Sequence, residues 1–432
     1  MEKKGNKKKV FVPMACDLIH EGHINILENA SRYGNVIVGL LTDKAIASYK
    51  PLPLLSYEKR KRIILSLKFV NSVYKTTEWD YQSALEKLKP EVVVHGDDWK
   101  SNNQKQVRKN VINKIKKWKG KLIEIPYTKG ISSSEIKKIL NNNLSPFLRT
   151  QTLSRILEAK KLIRVIEVHN GITAHIAEHS SYKSKSFDCM WLSSLTHSTS
   201  KGKPDIEYID DTTVFNTITD IFDCTTKPLI FDGDSGGLIE HLKYTMSNLG
   251  RIGVSAIILE DKVGNKKNSL IETTHYQEQD SIGSFCRKIE TAKKNSLPSG
   301  MKVFARIESF ILNKGLEDSI TRAKEYLKAG ADGIMIHSKK KNTSEIFSFS
   351  DKYNNFVDRK PLIVVPSTYE QVSEKKLEER GVNIVIYANQ LLRSAIPAMK
   401  KTAEQILKNG RSYESKKNMM PISEILKLLN NQ

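Results

Sequence analysis

The chain of 432 residues has little cysteine: Cys16, Cys189, Cys224 and Cys286 are its four, and they are scattered without short ligand-like spacing. That excludes a disulfide framework and a thiolate zinc cluster, and fits a reducing compartment. Long apolar runs are also missing, and no stretch approaches the roughly 20 residues that span a bilayer. The start, MEKKGNKKKVFVPMACDLIHEGH, has the outline of a secretory leader, but Asp17 and His20 interrupt its apolar part and no small-residue cleavage site follows. A cytoplasmic protein without a membrane segment is expected. Aromatic interleaving among the basic residues is absent too. Lys and Arg number 70 against 48 Asp and Glu, a formal charge of +22, yet the lysines alternate with Asn and Ile on helical stretches such as KNVINKIKKWKGK. Solvated helix faces account for that pattern, so nucleic acid is not the expected partner. Small phosphorylated ligands would also favour a positive field.

What is present is periodicity, over a length that calls for two domains. Residues 8 to 140 alternate the apolar runs KVFVPMA, NVIVGLLTD, SVYKTT, EVVVHGDD and KLIEIPYT with charged amphipathic segments. This order predicts a Rossmann-like, doubly wound parallel sheet with ligands at the carboxyl ends of its strands. The polar, aperiodic residues 141–154 are read as a linker between a first domain, 1–140, and a second, 155–432. In the second, eight short runs (IRVIEV, FDCMWL, PLIFD, VSAIILE, KVFAR, DGIMIH, PLIVV and NIVIYA), most of them separated by helix-length stretches, predict a (β/α)8 TIM barrel. The fold class is α/β throughout.

Polar residues fall at the carboxyl ends of those runs, on the rim where such barrels carry their chemistry: His169, Asn170, Trp191, Ser193, Asp232, Asp234, Glu260, Asp261, Arg306, Glu308 and His337. Each acid alone reads as readily as a strand cap or a partner for a rim lysine. Together Asp232, Asp234 and Glu260 suit Mg²⁺, a hard cation that takes carboxylates, waters and ligand oxygens. Arg306 and His337 add donors for phosphate or carboxylate.

The stretches EVHNG (167–171), WLSSL (191–195), FDGDSGG (231–237), EDKVGNKKNS (260–269), ARIESF (305–310) and MIHSKK (335–340) together resemble the phosphoenolpyruvate mutase family of the isocitrate lyase superfamily over residues 149 to 430. The resemblance implies an isomerase that interconverts phosphoenolpyruvate and 3-phosphonopyruvate by moving a phosphoryl group within one molecule. It implies that Asp232 holds Mg²⁺ with Asp234 and Glu260 in support, and that Trp191, Ser193, Ser194 and Leu195 line the pyruvyl pocket. Arg306 and His337 flank the phosphoryl group, and Asp205 stands beside it as nucleophile or orienting residue. Lys266, Asn268 and Ser269 belong to a lid that would keep water from a metaphosphate-like species; by themselves they also read as an ordinary exposed loop. Asn268 favours the mutase over its sister activity, phosphonopyruvate hydrolysis. Leu192 replaces the family's usual glycine, with a narrower pocket as the expected consequence. Dimers or tetramers are usual in the family.

In the first domain, CDLIHEGHINIL (16–27) sets His20 and His23 three apart at a helix start, beside free backbone amides. Such a pair can stabilise charge on an α-phosphate; inert helix-start histidines or a zinc pair are the other readings. With SYEKR (56–60), HGDDW (95–99) and TKGISSSEIKK (128–138), residues 8 to 140 resemble the HxGH cytidylyltransferases that act on glycerol phosphate or phosphocholine. The resemblance implies CTP as co-substrate, His20 and His23 on the triphosphate, Lys50 and Arg60 as further charge, and Asp97 and Trp99 in the substrate cleft. Ser132 and Ser133 would open a helix facing the phosphates, though Ser132 and Glu135 could equally form a capping box. MACD stands where the family has GTFD, and Tyr127 where it has arginine, so the acceptor is open. The fusion implies an enzyme at two points of phosphonate biosynthesis, with CMP coupled to a phosphonate such as 2-aminoethylphosphonate; the alternative is a mutase, or a hydrolase, with a non-catalytic first domain.

Overall fold

The computed structural model describes residues 8–100, 104–126, 145–183, 185–264, 266, 268 and 277–430, and the chain divides into two compact units near residue 140. In the first, strands β1 (Lys9–Met14), β2 (Asn35–Leu41), β3 (Ser72–Thr76), β4 (Val92–Gly96) and β5 (Lys121–Ile125) form a parallel sheet in the order β3-β2-β1-β4-β5. Successive residues of β1 feed opposite faces: Val10 and Val12 join one apolar cluster and Phe11 the other. A strand covered on both sides must be apolar throughout, which is why KVFVPM reads as a run rather than an alternation. The strand order reverses beside β1, and the chain leaves that point through His20 into the helix Glu21–Ser31.

In the second unit each of the eight expected runs is a strand: β6 (Ile163–Glu167), β7 (Cys189–Leu192), β8 (Leu229–Asp232), β9 (Ala256–Glu260), β10 (Lys302–Ile307), β11 (Gly333–Ile336), β12 (Leu362–Val364) and β13 (Ile384–Tyr387). They close in sequence order into a parallel barrel, β13 pairing β6 and β6 pairing β7. The period of two sorts each strand. Ile257 and Leu259 pack in the apolar layer beneath the helices, and the alternate residue Glu260 lines the cavity at the barrel mouth. Among the described residues no helix is long and apolar enough to cross a membrane.

Residues 146–154, expected in a linker, instead belong to a helix, Pro146–Ala159, of the barrel unit. Its buried face carries Arg149 and Thr150 as well as Leu153 and Ile156, so its apolar period is weak. Hydrogen bonds make that burial tolerable: Arg149 donates to the Thr225 carbonyl at 2.7 Å and lies 3.9 Å over the Phe222 ring, and Thr150 donates to the Ser299 carbonyl at 2.7 Å.

Candidate active site

At the carboxyl mouth of the barrel a cavity of about 70 Å³ is lined by Trp191, Ser194, Asp205, Asp232, Glu260, Lys266, Asn268, Arg306 and His337, among others. Asp232 ends β8 and accepts from the Ser194 amide at 3.2 Å and its hydroxyl at 3.1 Å. The backbone turns sharply after it: a Cβ at Gly233 would meet Ile257 at 2.6 Å, and Asp234 adopts a left-handed φ of 47°. That turn, of a kind that costs about 1–3 kcal/mol, presents the Asp234 carboxylate to Lys266. The Lys266 ammonium donates to Asp234, to the Ser194 hydroxyl and, at 2.8 Å, to Asp205, whose other oxygen accepts from the Asn268 amide at 2.8 Å. Two loop side chains thus converge on Asp205, some 60 residues earlier in the chain. Burial opposes the charged form of Asp205, but Lys266 and Asn268 hold its carboxyl below the usual range. Asp234, also buried and crowded by Asp232 and Glu260, is pushed well above it, and burial raises Glu260 as well.

Two charged residues that sequence reasoning left without a role complete the wall. Glu308, fully buried, accepts from Arg306 Nε at 2.6 Å and pairs with Lys262 at 3.3 Å; Arg306 and Lys262 also approach Glu260 at 3.2 and 3.3 Å. Burial works against the Glu308 carboxylate, yet Arg306 and Lys262 keep it well below its ordinary pKa. Arg306 also contacts His337 Nδ1 at 3.0 Å. The same Nδ1 lies 3.6 Å from Glu308 Oε1, so it faces a donor and an acceptor at once. Burial and the neighbouring Arg306 lower the His337 pKa, consistent with a neutral ring. The alternation ARIE, with acid and base on one face of β10, was the available signal for Glu308.

Five carboxyl groups (Asp205, Asp232, Asp234, Glu260 and Glu308) therefore share three cations (Lys262, Lys266 and Arg306), an excess of two negative charges with every acid ionised, and the crowding shows in the raised pKa of Asp234 and Glu260. Both Glu260 oxygens are buried and, among the described residues, meet only the ion-pair contacts of Lys262 and Arg306, with no hydrogen bond. A divalent cation fits that deficit. Among the described residues no three acids, histidines or cysteines form a group that could hold a metal ion by themselves; Mg²⁺ needs only one or two carboxylates besides water and ligand oxygens. Leu192, expected to narrow the pocket, does not line this cavity; it packs beneath the helices and borders an adjoining cavity of about 250 Å³. Strand alternation turns it outward.

In the amino-terminal unit His20 caps its helix, Nδ1 accepting from the Gly22 amide at 3.2 Å, and its ring lies 4.0 Å from that of His23. His23 Nδ1 is buried without a hydrogen-bond partner among the described residues. Burial first, then the charges of His20 and Lys50, pull its pKa down to about 4. The imidazole should therefore stay neutral at pH 6 and titrate near pH 4, which NMR of labelled histidine reads directly. Because the folded value lies below the unfolded one, stability should fall as pH drops from about 6.5 towards 4, by about 2 kcal/mol between pH 7 and pH 5.

Two expectations in this unit need correction. Arg60 is fully buried and spends its donors inside, on the carbonyls of Leu55 (3.1 Å), Ala15 (2.5 Å) and Leu41 (2.9 Å) and on Asp43 (2.6 Å). It ties together the ends of β1 and β2, and burial keeps its guanidinium from touching a triphosphate. Trp99 is buried too, stacked 3.8 Å from His95 with its indole N–H on Glu124 at 2.8 Å, so it supports the wall and does not stand in a cleft. Lys50 is exposed near His23, and Asp97 lies partly buried at the end of β4. Ser132, Ser133 and Ser269 lie outside the described residues.

A closed α/β barrel with an acid cluster and two loop donors at its carboxyl mouth, on one chain with a parallel-sheet unit that caps a helix with histidine, defines an enzyme of the mutase type joined to a nucleotidyltransferase-like domain. The chain belongs to the phosphoenolpyruvate phosphomutase family, whose model matches residues 153–407, and a cytidylyltransferase-like family matches residues 16–139. It is 32% identical over 295 residues to a phosphoenolpyruvate phosphomutase of Tetrahymena pyriformis, which covers 67% of this chain and 95% of that protein. Over 133 residues it is 35% identical to a glycerol-3-phosphate cytidylyltransferase of Bacillus spizizenii, 30% of this chain and 95% of that protein. A crystal structure of phosphonopyruvate hydrolase in complex with oxalate and Mg²⁺ matches with a TM-score of 0.59 at 29% identity, over 66% of this chain and 95% of that one.

Proposed function

We propose that the barrel interconverts phosphoenolpyruvate and 3-phosphonopyruvate: the P–O bond to the enol oxygen breaks and a P–C bond forms at the methylene carbon of the same molecule. The observation that carries this reading is the convergence of Lys266 and Asn268 on Asp205 at an acid-lined cavity. A loose phosphoryl group in flight is captured by any water that reaches it, so the site must be dry and rich in donors. Lys266 and Asn268 supply donors and exclude water. Arg306 and His337 orient phosphoryl oxygens, and Trp191, whose buried indole N–H has no hydrogen-bond partner among the described residues, offers a donor to the substrate with Ser193, Ser194 and Leu195 around it. Both oxygens of Asp205 accept from loop donors, which favours an orienting role over a nucleophilic one. Asp232, with Asp234 and Glu260, would hold Mg²⁺, which supplies positive charge to the substrate's oxygens.

Phosphorus NMR of the protein with Mg²⁺ and phosphonopyruvate tests the proposal. The signal of phosphoenolpyruvate is expected, and it should vanish with excess EDTA and return with Mg²⁺. Inorganic phosphate as the main product would make the barrel a hydrolase, the reading that Asn268 disfavours. For the amino-terminal unit the proposal is CTP-dependent cytidylyl transfer to a phosphonate such as 2-aminoethylphosphonate, with His20 and His23 on the triphosphate. Phosphonopyruvate is the less stable isomer and must be drawn off by later steps, so one chain would act at two non-consecutive points of phosphonate biosynthesis. Pyrophosphate release from CTP across a panel of phosphonates checks it; silence across the panel would leave that unit a scaffold.

A further inference from the structure

Asp261, immediately after the rim acid Glu260, is fully buried and does not line the cavity, yet its carboxylate collects four donors from three other parts of the fold. Oδ1 accepts from the Glu308 amide at 2.9 Å, just past the end of β10. Oδ2 accepts from Gln279 Nε2 at 2.8 Å, from Arg322 Nη1 at 3.1 Å and from the Tyr326 hydroxyl at 2.7 Å, the last two on the helix Gly315–Lys328. Its own carbonyl accepts from the Asp280 amide at 2.8 Å, and Arg322 grips the Asp280 carbonyl at 2.8 Å. Gln279 is also the ladder partner of Lys262 in a two-stranded ribbon, Lys262–Val263 with Glu278–Gln279, which brackets the segment carrying Lys266 and Asn268.

We infer that Asp261 is a positioning residue: it locks the base of the ribbon that carries Lys266 and Asn268 onto the strand end that carries Arg306 and Glu308, so that the two halves of the site keep one spacing. This deepens the mutase reading and rests on it for its catalytic consequence. The physical reason is direct. The same carboxylate touches the return leg of the ribbon and the backbone of Glu308, whose side chain orients Arg306. A displacement of about 1 Å between groups that must align on one phosphoryl unit costs on the order of 100-fold in rate. A carboxylate that merely satisfied a buried arginine would need neither Gln279 nor the Glu308 amide.

The test uses Asp261→Asn and Tyr326→Phe in the full-length protein, with hydrogen exchange followed by mass spectrometry and isomerisation followed by phosphorus NMR. Asp261→Asn keeps the shape of the side chain but turns one donor toward donors. Expected are exchange about tenfold faster in peptides covering Lys262–Val263 and Glu278–Asp280, unchanged exchange in β12 and β13, and a kcat about 100-fold lower with KM within about threefold. Tyr326→Phe, which removes one donor of four, should shift both readouts in the same direction by less, and it decides the matter should Asp261→Asn fail to fold. Unchanged exchange in the ribbon, or a lost kcat without faster ribbon exchange, overturns the inference. Should the wild-type protein show no isomerisation, the mutase reading fails, and the exchange experiment still decides whether Asp261 anchors the ribbon.

Discussion

Replacing Lys266 by methionine should lower the rate of phosphorus migration by about 1000-fold, the scale of losing a preorganised charged donor from a dry site. Methionine keeps most of the length and removes the charge. The ammonium is the shared partner of Asp205 and Asp234; its own burial works against the charge, but the negative charges of Asp234, Asp232 and Asp205 hold its pKa above the ordinary lysine value. Without it the two carboxylates have no cation between them, and Asp234, already pushed upward by burial, takes a proton. A donor to the phosphoryl group is lost together with the charge balance that positions Asp205. Single-turnover phosphorus NMR on Lys266→Met and the parent protein measures the effect. A variant within tenfold of the parent would remove Lys266 from the chemistry.

The second large effect belongs to the other unit. His23→Ala should reduce cytidylyl transfer by about 1000-fold, with isomerisation by the barrel in the same preparation as the folding control. His23 is suited to meet a phosphate because its buried Nδ1 lacks a hydrogen-bond partner among the described residues and its neighbour His20 is already fixed on the Gly22 amide. Burial keeps the ring neutral near pH 7, so in the proposed transfer it would act by donating a hydrogen bond and not as a resident charge. Pyrophosphate release from CTP, measured with whichever phosphonate supports turnover, is the assay. Turnover by His23→Ala equal to the parent's would leave the histidine pair a capping device alone.

Several features were open to reading before any coordinates. The eight apolar runs of the barrel and the five of the amino-terminal sheet were visible because a strand buried on both faces cannot hide its composition. The polar residues at their carboxyl ends were visible because a run must stop where a side chain meets the mouth. Asp205 was different. It follows no run, and the resemblance alone singled it out; in space it meets Lys266 and Asn268 from a loop 60 residues away. Arg60 and Trp99 misled because a guanidinium or an indole reads from sequence as an exposed functional group, whereas here carbonyls and carboxylates satisfy their N–H groups in the interior. The helix over 146–159 was hidden by the same chemistry, since Arg149 and Thr150 occupy positions where the period calls for apolar residues.

Sequence alone determined the α/β class, the five strand segments of the amino-terminal sheet and the eight of the barrel, and which polar residues end those segments, because local composition and the period of two dictate which segments are buried and where they end. Tertiary structure alone decided which of those rim charges face one another: Glu308 on Arg306, Lys266 between Asp205 and Asp234, and Asp261 joining a ribbon, a strand end and a helix. Closure of the barrel sets those distances, and closure depends on the register of all eight strands at once, which no single stretch of the chain encodes.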